Sequence, residues 1–262
     1  MRPTTENKFY IQSIDRAFSI IDIVSKSGQN GLALTSISDK VKLPLSTTYR
    51  IIQNLISWGY IKEDEDGNYS LGFELIILGN AAENNIAIKN IAHKYISELG
   101  DVTKETIYLS ILDDVKNEIV YIDKIESKGN IKLAAGIGSR NPIHTTASGK
   151  ALISQFTDEK IRTIFKDCKM VRHTKTTICD IGTFINEIHD VQARGYAIDN
   201  AENEPGVRCV AAPIFDYKNK IAGSVSLSGV LSNITIESIH DKYASLVKDT
   251  ARKISIELGC KR

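Results

Sequence analysis

The stretch that decides the fold of the first part of the chain is residues 43–60, Leu-Pro-Leu-Ser-Thr-Thr-Tyr-Arg-Ile-Ile-Gln-Asn-Leu-Ile-Ser-Trp-Gly-Tyr. Its apolar residues recur every three or four positions, which predicts a helix over Ser46–Trp58 that ends at Gly59. The residue before a proline avoids helical backbone angles, so Leu43-Pro44 separates this helix from whatever precedes it. The predicted inward stripe is Thr48, Ile51, Ile52 and Leu55. The opposite side carries hydrogen-bonding side chains, namely Ser46, Thr47, Arg50, Gln53 and Asn54.

Two further helices are predicted before this stretch. Residues Ile11–Ser27 have the spacing of an amphipathic helix, with Ser13 as the expected N-cap and apolar residues at Ile14, Ala17, Phe18, Ile21 and Val24. A short helix is expected over Ser36–Val41, with Thr35 as its N-cap.

A hairpin is predicted after the stretch, because Tyr60-Ile61-Lys62 begins a strand and Asp66-Gly67 is a turn signal before Tyr69-Ser70-Leu71. Three helices followed by a hairpin form the pattern of a winged helix-turn-helix.

A helix of this kind fits the major groove of DNA, where base edges present distinct donors and acceptors. Side chains in the N-terminal half of the third helix would contact bases or phosphates. The predicted DNA-binding residues are Thr35, Ser46, Thr47, Tyr49, Arg50, Asn54 and Asn68. Net charge adds little, since the whole chain carries +1 and residues 1–62 hold eight Lys/Arg against four acids.

The hairpin also carries four consecutive acids, Glu63-Asp64-Glu65-Asp66, which phosphates would repel. A wing of this composition either touches DNA through Asn68 and backbone groups or faces away from it.

Composition indicates an ordinary globular chain long enough for two domains, with 262 residues, 42% hydrophobic and 25% charged. No apolar run reaches the roughly 18–20 residues that cross a bilayer, and the N-terminus lacks a signal-like stretch, so a cytoplasmic location is expected. The four cysteines (Cys168, Cys179, Cys209 and Cys260) are widely spaced, which favours reduced thiols over a zinc site, and no metal or cofactor is expected.

Residues Phe73–Glu83 read as a helix that is too apolar to stand alone in water. It is either a linker that packs against its own copy in a dimer or an ordinary core helix. From residue 86 onward, runs of strands alternate with helices, which predicts an α+β domain with an antiparallel sheet. The predicted helices are Ile86–Leu99, Ala147–Phe156, Asp158–Phe165, Ile181–Arg194 and Thr235–Leu258. The predicted strands are Glu105–Asp113, Glu118–Ile125, Gly195–Asp199, Val207–Asp216 and Ile221–Leu231.

The last strand places Ser224, Ser226 and Ser228 on one face, because strand side chains alternate. That face is either exposed to solvent or lines a polar pocket, since buried hydroxyls need partners. The polar segment Asp199–Cys209 leads into the same hairpin. The stretch His144–Lys150 runs into a helix whose first N–H groups favour an anion such as a carboxylate.

Catalytic motifs are missing from the sequence: there is no G-x-S-x-G elbow, no phosphate loop and no dinucleotide fingerprint. Asp199, His144 and Cys209 could in principle form a metal site or a nucleophile pair, but their spacing does not indicate one. The main alternative to a DNA-binding regulator is an enzyme that acts on a small molecule through Cys209 or His144. A protein-interaction module without DNA binding is a third class.

Taken together, the motifs resemble the isocitrate lyase regulator (IclR) family of bacterial transcription factors. The resemblance spans nearly the whole chain and rests on residues 13–17, 43–50, 59–61, 69–72, 144–152 and 205–213. The segment Asp199–Gly206 is most similar to the KdgR-like members, which regulate sugar-acid catabolism.

The resemblance implies a regulator, a repressor rather than an activator, of a catabolic operon. Its domains would be a DNA-binding domain over residues 8–72, a linker helix over 73–85 and a GAF/profilin-like effector domain over 86–262. It further implies a homodimer, often paired into tetramers, that senses a small organic or sugar acid. Matching the family's pocket residue by residue, the resemblance implies effector binding by Ala147, Ser148, Asp199, Cys209, Ser226 and Ser228.

Overall fold

A computed structural model describes residues 11–84, 87–166 and 169–261. The chain divides into two compact units, Met1–Ile86 and Ala87–Arg262. Cys168 and the ends of the expected domain ranges at residues 8–10, 85–86 and 262 lie outside the described residues. Within the described ranges, no helix is both long and apolar enough to cross a membrane.

The described residues of the first unit contain four α-helices and a small antiparallel sheet of order β1-β3-β2. Its elements are α1 (Gln12–Ser25), β1 (Leu32–Ala33), α2 (Leu34–Val41), α3 (Leu45–Ser57), β2 (Ile61–Glu63), β3 (Asn68–Leu71) and α4 (Glu74–Asn84). Ile20 of α1, Ile37 of α2 and Ile52 of α3 are fully buried together, so the helical periodicity of the sequence accounts for this core. The predicted winged helix-turn-helix is confirmed.

Both predicted N-caps in this unit are wrong. Helix α1 follows Ile11, which makes no side-chain cap, and Ser13 lies inside the helix. Helix α2 begins at Leu34, directly after extended Ala33, so Thr35 lies in its first turn. Helix α2 begins there because β1 pairs with β3 (Ala33 opposite Asn68), which keeps the chain extended up to Ala33.

The apolar residues of α1 are not all buried in the core of this unit. Ile14 and Phe18 are 50% and 66% exposed, whereas Ile20 and Val24 are buried. The apolar surface of α1 is therefore wider than the part of it that the core of this unit covers.

A close approach of two glycines closes the domain. A Cβ on Gly72 would lie 2.0 Å from the carbonyl oxygen of Gly59, so only glycine fits there. The Gly72 N–H also donates to the Tyr60 carbonyl at 2.8 Å. This contact joins the end of the hairpin to the end of α3.

The second unit contains a six-stranded antiparallel sheet of order β6-β5-β4-β9-β8-β7. Its strands are β4 (Thr106–Asp113), β5 (Glu118–Ile125), β6 (Arg140–Pro142), β7 (Ala197–Asn200), β8 (Val207–Phe215) and β9 (Ile221–Val230). Its helices are α5 (Ala87–Thr103), α6 (Ala147–Leu152), α7 (Asp158–Lys166), α8 (Ile181–Arg194), α9 (Ile236–Ser238) and α10 (Ala244–Glu257). Helix α6 contacts β7, β8 and β9, and α5 contacts α10 and β4. The predicted α+β fold with an antiparallel sheet flanked by helices is confirmed.

Several boundaries in this unit differ from the prediction, and helix α5 extends to Thr103 rather than ending at residue 99. The expected helix 147–156 ends at Leu152, and the expected helix 235–258 is interrupted by a π-helical segment, Ile239–Tyr243. Strand β7 starts at Ala197 because Gly195, with φ +76°, ends α8 in the left-handed conformation. The short strands β1 and β6 were not predicted, since two or three residues carry no periodicity.

Candidate functional site

The outer side of α3 is a polar surface. Ser46, Tyr49, Arg50 and Asn54 are exposed, and Thr47 is half-buried. On the inner side Thr48 is fully buried and donates its hydroxyl to the Pro44 carbonyl at 3.2 Å. The helical period therefore separates side chains available to a partner from those that hold the core.

The seven residues predicted to bind DNA are not one cluster. Thr47, Arg50 and Asn54 line a groove together with Arg16 of α1. Thr35 is exposed on α2, and Asn68 is half-buried at the start of β3. The structure thus groups three of the seven with a basic residue that sequence reasoning missed.

The acids of the wing have local roles that their charge alone did not reveal. The carboxylate of Asp64 accepts the backbone N–H groups of Asp66 and Asn68 at 3.0 and 2.8 Å and so closes the turn. The carboxylate of Glu63 accepts the hydroxyl of buried Tyr69 at 3.2 Å, and burial raises the pKa of that tyrosine. Two of the four acids therefore stabilise the wing, and all four remain exposed.

In the second unit, one cavity is lined by all six residues that were expected to bind an effector. They are Ala147, Ser148, Asp199, Cys209, Ser226 and Ser228. The cavity volume is about 40 Å³, far below the roughly 300–1,000 Å³ of typical small-molecule pockets. This conformation has room for a few water molecules and none for an organic acid.

Strand register explains why residues so distant in sequence meet here. Asp199 of β7 lies opposite Cys209 of β8, and Cys209 lies opposite Ser228 of β9. Ser226 lies two residues before Ser228 on β9, opposite Tyr108 of β4. Because side chains alternate across a sheet, these residues share one face, and α6 covers it.

The open question about the three serines of β9 is settled in favour of burial. Ser224, Ser226 and Ser228 are at most 4% exposed. Only Ser226 and Ser228 line the cavity, and the hydroxyl of Ser224 has no hydrogen-bond partner.

Two tyrosines that sequence reasoning missed form another wall of the cavity. Tyr108 and Tyr121 stack with ring centroids 4.3 Å apart. The Tyr108 hydroxyl donates to the Ala135 carbonyl at 3.1 Å, and the Asn141 amide donates to the Tyr121 hydroxyl at 3.3 Å. Burial raises the pKa of both phenols, which remain neutral. Alternation along β4 is the signal that could have placed Tyr108 on this face.

Asp199 anchors a tight turn at the edge of the cavity. Its Oδ1 accepts the backbone N–H groups of Glu202 at 2.6 Å and of Asn203 at 3.4 Å, and its side chain is buried. Ala201 in this turn has φ +57°, which an alanine adopts only at a cost. Burial raises the pKa of Asp199 to about 7. The negative charge of the neighbouring Glu202 also raises this pKa, and the two backbone N–H donors lower it.

A buried ion pair that the sequence did not reveal supports the same turn. Lys150 of α6 is 1% exposed, and its ammonium donates to Glu202 Oε1 at 2.6 Å and to the Ile198 carbonyl at 2.9 Å. The second oxygen, Glu202 Oε2, is buried without a partner. Burial raises the pKa of Glu202, while Lys150 opposes that effect.

The geometry gives no support to a nucleophile built from Cys209 and His144. Burial, and then Asp199, raise the pKa of the Cys209 thiol well above its ordinary value, which disfavours the thiolate. His144 packs against Phe165 and binds the Val171 carbonyl at 3.0 Å. Burial lowers the pKa of His144. Across residues 11–84, 87–166 and 169–261, the structure holds no group of three or more His, Cys, Asp or Glu side chains placed to bind a metal.

Comparison with known families gives two matches that follow the two units. Residues 13–65 match the IclR helix-turn-helix domain. Residues 80–256 match the C-terminal domain of the bacterial transcriptional regulator IclR.

Curated relatives match over almost the full length. The chain is 33% identical over 250 residues to the transcriptional regulator KdgR of Escherichia coli K12, covering 95% of this chain and 93% of KdgR. It is 30% identical over 254 residues to the transcriptional repressor AllR of the same strain, covering 95% and 91%. The similarity to KdgR agrees with the subset expected from Asp199–Gly206.

Solved structures share the fold. The IclR protein of Thermotoga maritima superposes with a TM-score of 0.79 at 30% identity, covering 95% of this chain and all of that one. An IclR homologue from Microbacterium hydrocarbonoxydans, complexed with 4-hydroxybenzoate, superposes with a TM-score of 0.80 at 17% identity, covering 94% and 98%. The chain belongs to the IclR family of bacterial transcriptional regulators.

Proposed function

From this family membership, we propose that the protein represses a catabolic operon and leaves its operator when a hydroxylated carboxylate, such as a sugar acid, fills the cavity of the second unit. The operator lies on bacterial DNA, so the place of action is the cytoplasm. AllR, a relative, is named a repressor, which favours repression over activation.

The observation that carries the proposal is the composition and size of the cavity. Hydroxyl and amide groups line it, from Ser148, Ser226, Ser228, Asn141 and Asn203, and they match the donors and acceptors of a polyhydroxy acid. At about 40 Å³ the cavity must widen before such a ligand enters. A ligand that binds only the wider conformation shifts the population toward it, which is the requirement for linkage to DNA affinity.

We assign DNA binding to residues 8–72, with Arg50 as the main contact and Thr47 and Asn54 beside it. Ser46, Tyr49, Thr35 and Asn68 are secondary candidates. Residues 86–262 bind the effector, through the six cavity residues expected from the sequence.

Residues 73–85 are proposed to link the domains and to contribute to a homodimer, which in turn pairs into a tetramer. The support is apolar surface in the first unit that its own core leaves uncovered. Phe73, Ile76 and Ile77 are 59–72% exposed, and Ile14 and Phe18 of α1 are 50% and 66% exposed. Surface of this kind on one chain commonly marks an association site.

The test is fluorescence anisotropy with DNA from upstream of the protein's own gene, at stated salt concentrations. D-gluconate and D-galacturonate are then added to the complex, with the neutral polyol D-glucitol as a control. The proposal expects binding that weakens with salt and that at least one acid reverses. No binding at any salt would refute the DNA-binding function.

A matched variant separates the two halves of the proposal. Ser226→Ala/Ser228→Ala should keep DNA affinity and lose its response to the acids. If the double variant responds as the wild type does, the cavity is not the effector site. A rise in transcription on operator binding would show an activator instead.

A further inference from the structure

The charge of the effector cavity is unusual for a site that takes an anion. Its described lining includes two acids, Asp199 and Glu204, and no lysine, arginine or histidine. Lys150, a buried cation of α6, already binds Glu202 at 2.6 Å and the Ile198 carbonyl at 2.9 Å. Lys124, which lies 5.5 Å from the ring of Tyr108, donates to the Leu133 carbonyl at 2.9 Å. A carboxylate that enters the cavity therefore lies near two acidic side chains, and the described lining offers it no cationic side chain.

The surroundings of Asp199 hold more acid than base. The charged and titratable groups that face it are Glu202 and Glu204 of its own turn, Lys150 of α6, Cys209 of β8 and Tyr121 of β5. Glu187 of α8 approaches Lys150 at 4.0 Å but is paired with Arg194 at 2.7 Å. One buried cation thus faces two buried carboxyl groups, and Glu202 holds the short contact to it.

The hydrogen bonds of Asp199 leave a place for a proton. Both backbone donors, from Glu202 and Asn203, go to Oδ1. The other oxygen, Oδ2, receives neither of these two N–H groups. Asp199 also lines the cavity, and its carboxyl group hydrogen-bonds with the Cys209 thiol. A carboxyl group in this arrangement can accept at one oxygen and donate from the other.

We propose that Asp199 carries a proton on Oδ2 when the effector binds, and that this O–H group donates to a carboxylate or hydroxyl oxygen of the effector. The proton comes from solvent and stays on Asp199, so the anion and one proton enter the site together. Asp199 is then a specificity-determining residue that selects for a hydroxylated carboxylate. This inference rests on the proposed function of the cavity.

The raised pKa of Asp199, about 7, is consistent with the geometry. A buried carboxylic acid that stays neutral near pH 7 can act as a hydrogen-bond donor, a role known in other proteins. Linkage then requires affinity for the anion to be constant below this pKa and to fall about tenfold per pH unit above it.

The first arm of the test needs no ligand. Infrared spectra of the full chain and of Asp199→Asn are recorded across the pH range, and the difference is taken in the C=O stretching region of protonated carboxylic acids. The wild type should show a band that disappears as pH rises through about 7 and that the variant lacks. A band that titrates with ordinary carboxyl groups, or that persists in the variant, overturns the proposal.

The second arm measures D-gluconate binding by calorimetry at about pH 6 and about pH 8.5, in buffers with different ionisation enthalpies. The wild type should lose about tenfold or more in affinity at the higher pH and take up close to one proton there. Asp199→Asn should bind independently of pH. Glu204→Gln, which changes the other acid of the wall, should keep the pH dependence.

The two arms separate this inference from the function on which it rests. If the infrared band is present and D-gluconate does not bind at either pH, the sugar-acid effector is wrong while the protonation of Asp199 stands. If D-gluconate binds equally at both pH values without proton uptake, the role of Asp199 is wrong while the effector site stands.

Discussion

The two units of this chain present their candidate sites in opposite environments. The α3 surface carries exposed polar side chains from one helix, among them Arg50 and Asn54. The cavity of the second unit is built from buried groups of several elements, with Asp199 at 2% exposure and Ser226 at 2%. A site on one helix can be read from a local period, whereas an enclosed site depends on which strands pair.

The difference also changes what a charged residue does. In the first unit Lys26 and Asp22 form a 2.8 Å pair that is largely exposed, and solvent weakens it. In the second unit Lys150 and Glu202 form a 2.6 Å pair that is almost fully buried. Removing one partner there leaves a charge that water cannot reach.

The largest expected effect comes from this contrast. Lys150→Met should destabilise the second unit by about 3–5 kcal/mol, because Glu202 and Asp199 then share a buried site without a cation. Urea unfolding measures the loss, and hydrogen exchange should place it within residues 87–261. The control Lys26→Met should change stability by no more than about 0.5 kcal/mol. Equal losses of unfolding free energy in the two variants would contradict the contrast between the buried and the exposed ion pair.

The second effect concerns pH. The pKa of Asp199 is higher in the folded protein, about 7, than its ordinary value of 3.8, so the folded state holds the proton more tightly. The stability of the wild type relative to Asp199→Asn should therefore fall as pH rises between these values, by at most about 4 kcal/mol at about 1.4 kcal/mol per pKa unit. Unfolding of both proteins across pH tests this. A relative stability that rises with pH would contradict the sign.

The third effect tests packing rather than charge. A Cβ on Gly149 of α6 would lie 2.2 Å from the Ile143 carbonyl oxygen, so Gly149→Ala should cost at least about 1–3 kcal/mol. Gly79 of α4 has no heavy atom within 4 Å of an added Cβ. Gly79→Ala should therefore stabilise by about 0.5–1 kcal/mol. Thermal melts of the two variants should move in opposite directions.

The smallest effect on the fold falls on the α3 surface. Arg50→Ala should leave stability nearly unchanged and weaken operator binding by about 1–3 kcal/mol, toward the lower end if Arg50 contacts only phosphate. Anisotropy at several salt concentrations distinguishes the two, since a lost phosphate contact lowers the salt slope by about one. Lys26→Ala, directly after the end of α1, serves as the control and should bind as the wild type does. If both variants lose the same operator affinity, Arg50 is not a specific DNA contact.

Much of the fold could be predicted because its signals are local. The period of residues 46–58 and the Asp66-Gly67 turn placed α3 and the hairpin within a residue or two. Helix α8 and strand β5 were predicted with the observed bounds. The two N-cap predictions failed because Ser13 and Thr35 look like caps in the local sequence. Extended Ile11 precedes α1, and the pairing of β1 with the distant strand β3 sets where α2 begins.

The site could be predicted only in part. Alternation placed Ser226 and Ser228 on one face, and family motifs added Asp199 and Cys209. No local pattern pointed to Tyr121, which comes from another strand of the sheet, or to the buried pairing of Lys150 with Glu202, 52 residues apart.

The sequence by itself thus determined the order of elements, the polar and apolar faces of each, and the family to which the chain belongs. These depend on periods of 3.6 and 2 residues and on motifs that are contiguous. The tertiary structure alone decided which carboxyl groups lose contact with water and which cation compensates them. Desolvation depends on every atom around a group, and at Asp199 those atoms come from α6, β5, β8 and its own turn.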